Sequence, residues 1–354
     1  MFRSRLLACL LLIGMGACST QPNPNPPPTP ANTPAAAPAA PIRILRLDSY
    51  HDGYMWSTEI HRGVVDGLKD HGYAVDGQNI TLEDRYLDTK RNTSPEYFAR
   101  IGAETIAYIR ATKPDLVIVS DDNATRLVVQ PMRLDGIRFV ILGLNGKPED
   151  FELTTSPYVA AVLERPHIQE FMGWIEQVFG ENARVTMLAE DSATSAGLFG
   201  DNKVEKAAEK TTVKLVNMTF TNNYAEWQKI VLAAPQTSAI LFLGSYSTLR
   251  RADGSAVEPT ECLRWTLANS PIPVLNFWEE AAHVGALGGP VISGYTQGYE
   301  AAARAARILD GTPINAIGFS APPRGKLIVN RNAMNHWGVQ IPLDLLEVSE
   351  IVVE

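Results

Sequence analysis

From residue 42 onward, short apolar runs alternate with longer stretches in which apolar residues recur every three or four positions. The runs at 42–48, 79–87, 115–120, 138–144, 159–164, 184–190, 213–220, 238–245, 272–277 and 290–295 predict strands. Between them the spacing predicts helices near 56–71, 94–114, 122–133, 167–179, 193–210, 223–234, 259–269 and 297–310. In "SPEYFARIGAETIAYIRATKP", Ser94 is placed to cap and Pro95 occupies the first turn. Phe98, Ile101, Ile106 and Ile109 line one face, and Pro114 stops the helix. Strands alternating with helices imply parallel sheets covered on both faces, hence an α/β fold. The elements fall into two doubly wound sets of about five strands, before and after residue 165, and the tail after 325 adds a strand, a short helix and a last strand. In such sheets ligands bind beyond the carboxyl ends of the strands. The loops that follow strands are therefore the candidate site.

The first 41 residues do not follow this pattern. "MFRSRLLACLLLIGMGAC" (1–18) has Arg3 and Arg5, a leucine-rich run and then small residues, the layout of a secretory signal. Its end, "MGAC", resembles the lipobox of bacterial lipoproteins, with Met15 where leucine is usual. The resemblance implies lipidation of Cys18, a membrane anchor and, with Ser19 next, sorting to the outer membrane. Residues 19–41 are rich in Pro and Ala and carry no charge or aromatic ring, the composition of an extended tether.

The 354-residue chain has a formal net charge of −8, and −10 without Arg3 and Arg5. A surface this acidic argues against nucleic acid as a partner. Of the three cysteines, Cys9 and Cys18 belong to the leader, so Cys262 stands alone and no disulfide is expected. No H-E-x-x-H, G-x-S-x-G, P-loop or paired-Cys motif occurs, and the six histidines are scattered. Neither an enzyme, nor a metal, nor a cofactor is expected.

The strand-to-helix turn "SYHDGYMW" (49–56) is unusual. Turns favour Gly, Asn, Asp and Ser, yet this one holds Tyr50, His51, Tyr54 and Trp56. Rings placed there suit a cleft that receives a small ligand. Other strand-end loops supply Ser120 and Asp121, where Asp121 suits a ligand ammonium, and Asn145. Further along come Asp191 and Ser192 at a helix start, Ser245 and Tyr246, then Trp278, and Tyr295 at the end of the 290–295 run. Few Arg or Lys residues stand in these loops, which disfavours phosphate-rich ligands.

The tail "LIVNRNAMNHWGVQIPLDLLEVSEIV", the opening "SYHDGYMWSTEIHRGVVDGL" and "EYFARIGAETIAYIRATKPDLVIVSDDNA" resemble the ABC-transporter substrate-binding proteins of the type I periplasmic-binding-protein fold, in the group that includes tryptophan-binding members. The resemblance spans nearly all of 42–354. It implies two lobes joined by a hinge, 42–163 with 296–325 and 164–295 with 326–354, and chain crossings near 162–166, 294–297 and 324–330. It further implies a small amphipathic, amino-acid-like ligand in the cleft, including an aromatic one, an ABC permease as partner, and a monomer facing the periplasm on its lipid anchor. The alternative it leaves is a ligand-sensing lipoprotein that feeds a membrane signalling kinase.

Overall fold

A computed structural model describes residues 40–352 apart from Gln78. The signal segment, Cys18 and nearly all of the Pro/Ala-rich stretch lie outside the described residues. The strands are β1 (Ile42–Asp48), β2 (Ile80–Tyr86), β3 (Leu116–Ser120), β4 (Phe139–Leu144), β5 (Val159–Leu163), β6 (Arg184–Ala189), β7 (Lys214–Phe220), β8 (Ile240–Leu243), β9 (Val274–Asn276), β10 (Gly288–Val291), β11 (Phe319–Ser320), β12 (Lys326–Asn330) and β13 (Glu350–Val352).

Six of them form one sheet in the order β11-β5-β4-β3-β1-β2, all parallel, with Ile44 opposite Leu116 and Leu47 opposite Val119 between β1 and β3. Its central strands are apolar almost without interruption because both faces are covered. On one face Ile44, Ile118, Val140 and Leu142 pack with Ile60, Val64 and Ala302 of the helices Met55–Asp70 and Gly294–Leu309. On the other, Leu45, Leu47, Val117, Val119 and Ile141 pack with Ile109 of Pro95–Thr112 and with Val128. The exception is Arg46, fully buried in mid-strand, which pairs with Asp48 at 2.7 Å and Asp84 at 2.6 Å.

A second parallel sheet runs β7-β6-β8-β9. Phe171, Phe199, Phe242 and Phe277 centre its core, with the Phe242 and Phe277 rings 4.3 Å apart. A parallel bridge between Trp278 and Ile292 continues it toward β10. There the winding stops: β10 pairs antiparallel with β12, which pairs in parallel with β13. The expected fifth strand of this set is thus part of a separate three-stranded sheet that also holds the tail strands.

The mixed α/β architecture with parallel sheets matches the fold expected from the chain pattern. Several boundaries differ. The run 290–295 does not end as strand: Ser293 accepts a bond from the Thr296 amide at 3.2 Å, which starts a helix at Gly294 and places Tyr295 in its first turn. The stretch 193–210 is two helices, Ala193–Phe199 and Lys203–Ala208, broken where Asp201 and Asn202 take φ of 59° and 55°. The stretch 122–133 is interrupted by a π-helical turn, Thr125–Val129, just before Pro131, whose missing N–H cannot sustain the regular ladder. Ser94 caps its helix as expected, accepting from Tyr97 at 3.2 Å.

Candidate functional site

Both parallel sheets share one winding order, in which the first strand of each set lies between the second and the third. The direction of connection therefore reverses between β1 and β3, and again between β6 and β8. These switch points are where open α/β sheets form their crevices.

At the first switch point lies Asp121, directly after β3. It is 3% exposed and adopts φ of 68°, a left-handed conformation that a non-glycine residue holds only at a cost. Trp56 donates its indole N–H to Oδ2 at 3.2 Å, and the Tyr50 hydroxyl donates to Oδ1 at 3.4 Å. Burial, and then the charges of Glu164, Asp48 and Asp122, push the Asp121 carboxyl well above the usual carboxylate range. Burial and Asp121 likewise raise the Tyr50 phenol.

The other rings of the turn cluster around this pair. Tyr54 meets Tyr50 edge to face at 5.3 Å, and His51 lies 5.4 Å from Tyr54 and 3.7 Å from the Asp88 carboxylate. The Lys90 ammonium sits 4.5 Å from the centres of both tyrosine rings and donates to the Tyr54 hydroxyl at 2.8 Å. Asp122 caps the loop after β4, accepting from the amides of Asn145 at 2.8 Å and Gly146 at 3.1 Å. Ser120 is buried, and its hydroxyl has no hydrogen-bond partner.

The chain leaves the first sheet at Glu164, which is 4% exposed. Its carboxyl accepts from the Trp278 indole at 2.7 Å and from the Asn145 amide at 3.2 Å, so it joins the two sheet bodies. Burial raises it to about 7, despite those two donors. Arg165, next to it, donates to the carbonyls of Leu144, Asn145, Glu164 and Gly146 at 2.7 to 3.1 Å, which leaves little of its donor capacity for a ligand.

From the second body, Glu280 lines the space between the bodies, and Tyr246, packed against Trp227, lies near it. The Tyr246 phenol is raised by burial and then by the charge of Glu280, with Tyr54 of the first body also acting on it. Glu280 is half-buried and pushed up to about 7 by burial, while Lys90 of the first body pulls it down. A cavity of about 220 Å³ opens between the bodies, lined by Met55, Glu59, Glu279, Glu280, His283 and Gly294. Ligand atoms of Glu279, His283 and Glu350 come within 4.8 Å of one another, but the Lys326 ammonium bonds Glu279 at 2.5 Å and Glu350 at 2.9 Å.

The structure thus brings together Tyr50, His51, Tyr54, Trp56, Ser120 and Asp121, and joins Asn145 to Trp278 through Glu164. Trp56 is also a core residue, 5% exposed. At the second switch point Ser192 caps Ala193–Phe199, accepting from Ser195 at 3.1 Å and donating to Glu190 at 3.0 Å. The Asp191 backbone is tied to the Asn222 side chain, its own side chain is exposed, and the Ser245 carbonyl accepts from Glu190 at 2.7 Å. Tyr295 lies on the helical flank, with its hydroxyl on Asp66 at 3.2 Å and Arg62 over its ring. Lys90, Glu164 and Glu280 join this region although no motif in the sequence marks them. Each stands just beyond a strand, in "LDTKR", "VLERP" and "NFWEE", so its position was the available signal.

Residues 150–353 match the model of a family described as ABC transporter substrate binding protein. No curated protein matches the chain. Solved structures share the fold at low identity. An open, ligand-free substrate-binding protein with adhesive properties from Clostridium difficile superposes with a TM-score of 0.65 at 15% identity, covering 88% of this chain and 99% of that one. An ABC domain in complex with L-Trp from Streptococcus pneumonia gives 0.61 at 15%, over 89% and 100%. A conserved domain protein from Vibrio cholerae gives 0.61 at 15%, over 88% and 99%. Among the described residues no helix is long and apolar enough to cross a membrane. Since the family match takes in more than half of its length, the chain belongs to the ABC transporter substrate-binding proteins, which are solute carriers rather than enzymes.

Proposed function

We propose that this protein captures a small amphipathic, amino-acid-like solute between its two sheet bodies and presents it to an ABC permease. It does so from the periplasmic side, as a monomeric lipoprotein held through Cys18, at the outer membrane. The bodies act as lobes, 42–163 with 296–325 and 164–295 with 326–354. The crossings run from β5 to helix Ile168–Phe179, from β10 to helix Gly294–Leu309, and from β11 to β12. Motion about them closes the cleft, the hinge mechanism open to such a design.

The observation that carries this reading is Asp121. A buried carboxyl, two aromatic donors and a strained backbone at a switch point form a costly arrangement that a core would not need. Aromatic walls from Tyr50, Tyr54, Trp56, Tyr246 and Trp278 suit a flat or amphipathic solute. The L-Trp found with the streptococcal neighbour belongs to the same class of solute.

Thermal melting against amino acids, nucleosides and sugars tests it. A specific ligand at a hundredfold excess over Kd adds about 2.7 kcal/mol and raises Tm. If no solute class moves Tm, the proposal fails. Asp121→Ala is expected to weaken binding of the identified solute at least tenfold by titration calorimetry while the protein stays folded. Unchanged affinity would place the pocket elsewhere. Because Trp56 is packed in the core, Trp56→Phe is the informative change there: it removes the indole donor and keeps a ring.

A further inference from the structure

The ionisable groups that face the interlobe space are mostly carboxyls. Asp121, Glu164 and Glu280 converge on it, and Glu59 and Glu279 line the adjoining cavity with His283. Glu279 is 3% exposed, and its Oε2 atom is buried without a hydrogen-bond partner, although Oε1 is held by Lys326. Arg165 is held by its four carbonyls. Among the described residues, the cation placed to act on the cleft carboxyls is Lys90, an exposed residue of the loop after β2.

Where its ammonium rests is informative. The Tyr50 ring at 4.5 Å, the hydroxyl edge of Tyr54 at 2.8 Å and nearby carboxyl groups make up the kind of seat that recognises ligand ammonium groups. The seat is built from the turn 50–54, whose rings had no evident partner in the sequence. A solvated lysine gains about 0.5–1 kcal/mol from such a contact, whereas a desolvated ligand cation gains about 2 kcal/mol or more. A ligand ammonium that lobe closure shields from water therefore gains more from the seat than the exposed side chain does.

We propose that the solute is a net cation, an amine without a compensating carboxylate, whose ammonium takes the seat between Tyr50 and Tyr54 and expels Lys90, an internal stand-in for the ligand. This rests on the cleft reading above and narrows its solute class. The carboxyl groups facing the cleft supply the countercharge by losing their protons when the cation arrives beside them, and the open flank of the Lys90 loop gives the displaced side chain a path to water.

Three indoles with the same ring and different charge test it: tryptamine (cation), indole-3-propionamide (neutral) and indole-3-propionate (anion), with L-tryptophan as the zwitterion. Affinities are measured by calorimetry at about pH 7.5 for the wild-type protein and Lys90→Met. Tryptamine is expected to bind wild type at least tenfold more tightly than the propionate, and Lys90→Met to bind tryptamine about tenfold more tightly still. If the anion is preferred and Lys90→Met loses it, Lys90 is a carboxylate partner and the inference falls while the cleft reading stands. If L-tryptophan alone binds, the inference falls in the same way. If none of the four binds either protein while the solute screen finds another ligand, the inference falls and the cleft reading stands; if the screen also finds none, both fail.

Discussion

Replacing Gly298 with leucine is expected to cost about 3 kcal/mol or more, seen as a lower urea midpoint. Helix Gly294–Leu309 lies against helix Met55–Asp70 so closely that a Cβ at Gly298 would stand 2.2 Å from the Ile60 carbonyl oxygen. The reciprocal contact is as tight, since a Cβ at Gly63 would meet the Tyr295 carbonyl at 2.1 Å. Both obstacles are backbone, so no rotamer change relieves them and the helices must separate. Overpacking of this kind costs about 1–3 kcal/mol even where side chains can adjust, and more where they cannot. Gly173, inside helix Ile168–Phe179, is the matched contrast, because nothing lies within 4 Å of an added Cβ. Gly173→Ala should stabilise by about 0.5–1 kcal/mol through helix propensity alone. Equal midpoints for Gly298→Leu and wild type would show that the two helices do not pack as described. Since that helix begins just after β10, its displacement would also move one chain crossing.

The ligand-free protein is expected to lose several kcal/mol of stability between about pH 5 and pH 8. Glu164 and Glu280 are each raised from 4.5 to about 7 by burial. A carboxyl raised on folding holds its proton more tightly in the folded chain. Its contribution is therefore complete below 4.5 and fades as pH climbs through about 7. Each such shift corresponds to roughly 3 kcal/mol. Asp121 acts in the same sense, and so does His283, which Glu279 raises. Opposing them, Glu279 is held at about 2 by His283 and Lys326, so its contribution is present above 4.5 and lost only in strong acid. Stability should thus peak at mildly acidic pH. Glu164→Gln removes one titrating group and is expected to flatten the slope. At about pH 8 the variant should be more stable than wild type, and near pH 5 the gap should close. The new amide can still accept from Trp278, and the Asn145 oxygen, buried without a partner, can receive its N–H once that amide turns over. Wild-type stability that is flat or rises across this range would refute the assignment.

Much of the frame was legible in the residue pattern, and the reasons differ by element. Strand β1 was read to the residue because apolar side chains bury on both faces and Asp48 closes the run. Helix Pro95–Thr112 announced itself through Ser94 and Pro95, which act locally. The boundaries that moved depend on backbone states that composition signals weakly: the left-handed pair at Asp201 and Asn202, the π turn before Pro131, and the Ser293 cap that draws Tyr295 into a helix. In the site, the turn at 50–56 stood out because its rings contradict turn chemistry. Glu164 did not, since it reads as one more residue at the end of an apolar run. Its partner Trp278 lies 114 residues away, and only the folded chain brings them together. Lys90 was silent for a similar reason: a lysine beside an arginine in a loop reads as solvated surface until two tyrosines are found beneath it.

The shared winding order has one more implication. Because each half reverses direction at an equivalent place, the segments after β1 and β6 are counterparts, and so are those after β3 and β8. The counterparts carry unlike chemistry. Asp121 stands after β3, with its aromatic donors after β1, while Ser245 and Tyr246 stand after β8. In the proposed cleft, a solute between them meets the same scaffold twice but two different languages, a carboxyl on one side and ring and hydroxyl on the other. Either vocabulary can be rewritten through a few loop positions without disturbing the strands beneath, so a twinned frame of this kind can be retuned to new cargo one half at a time.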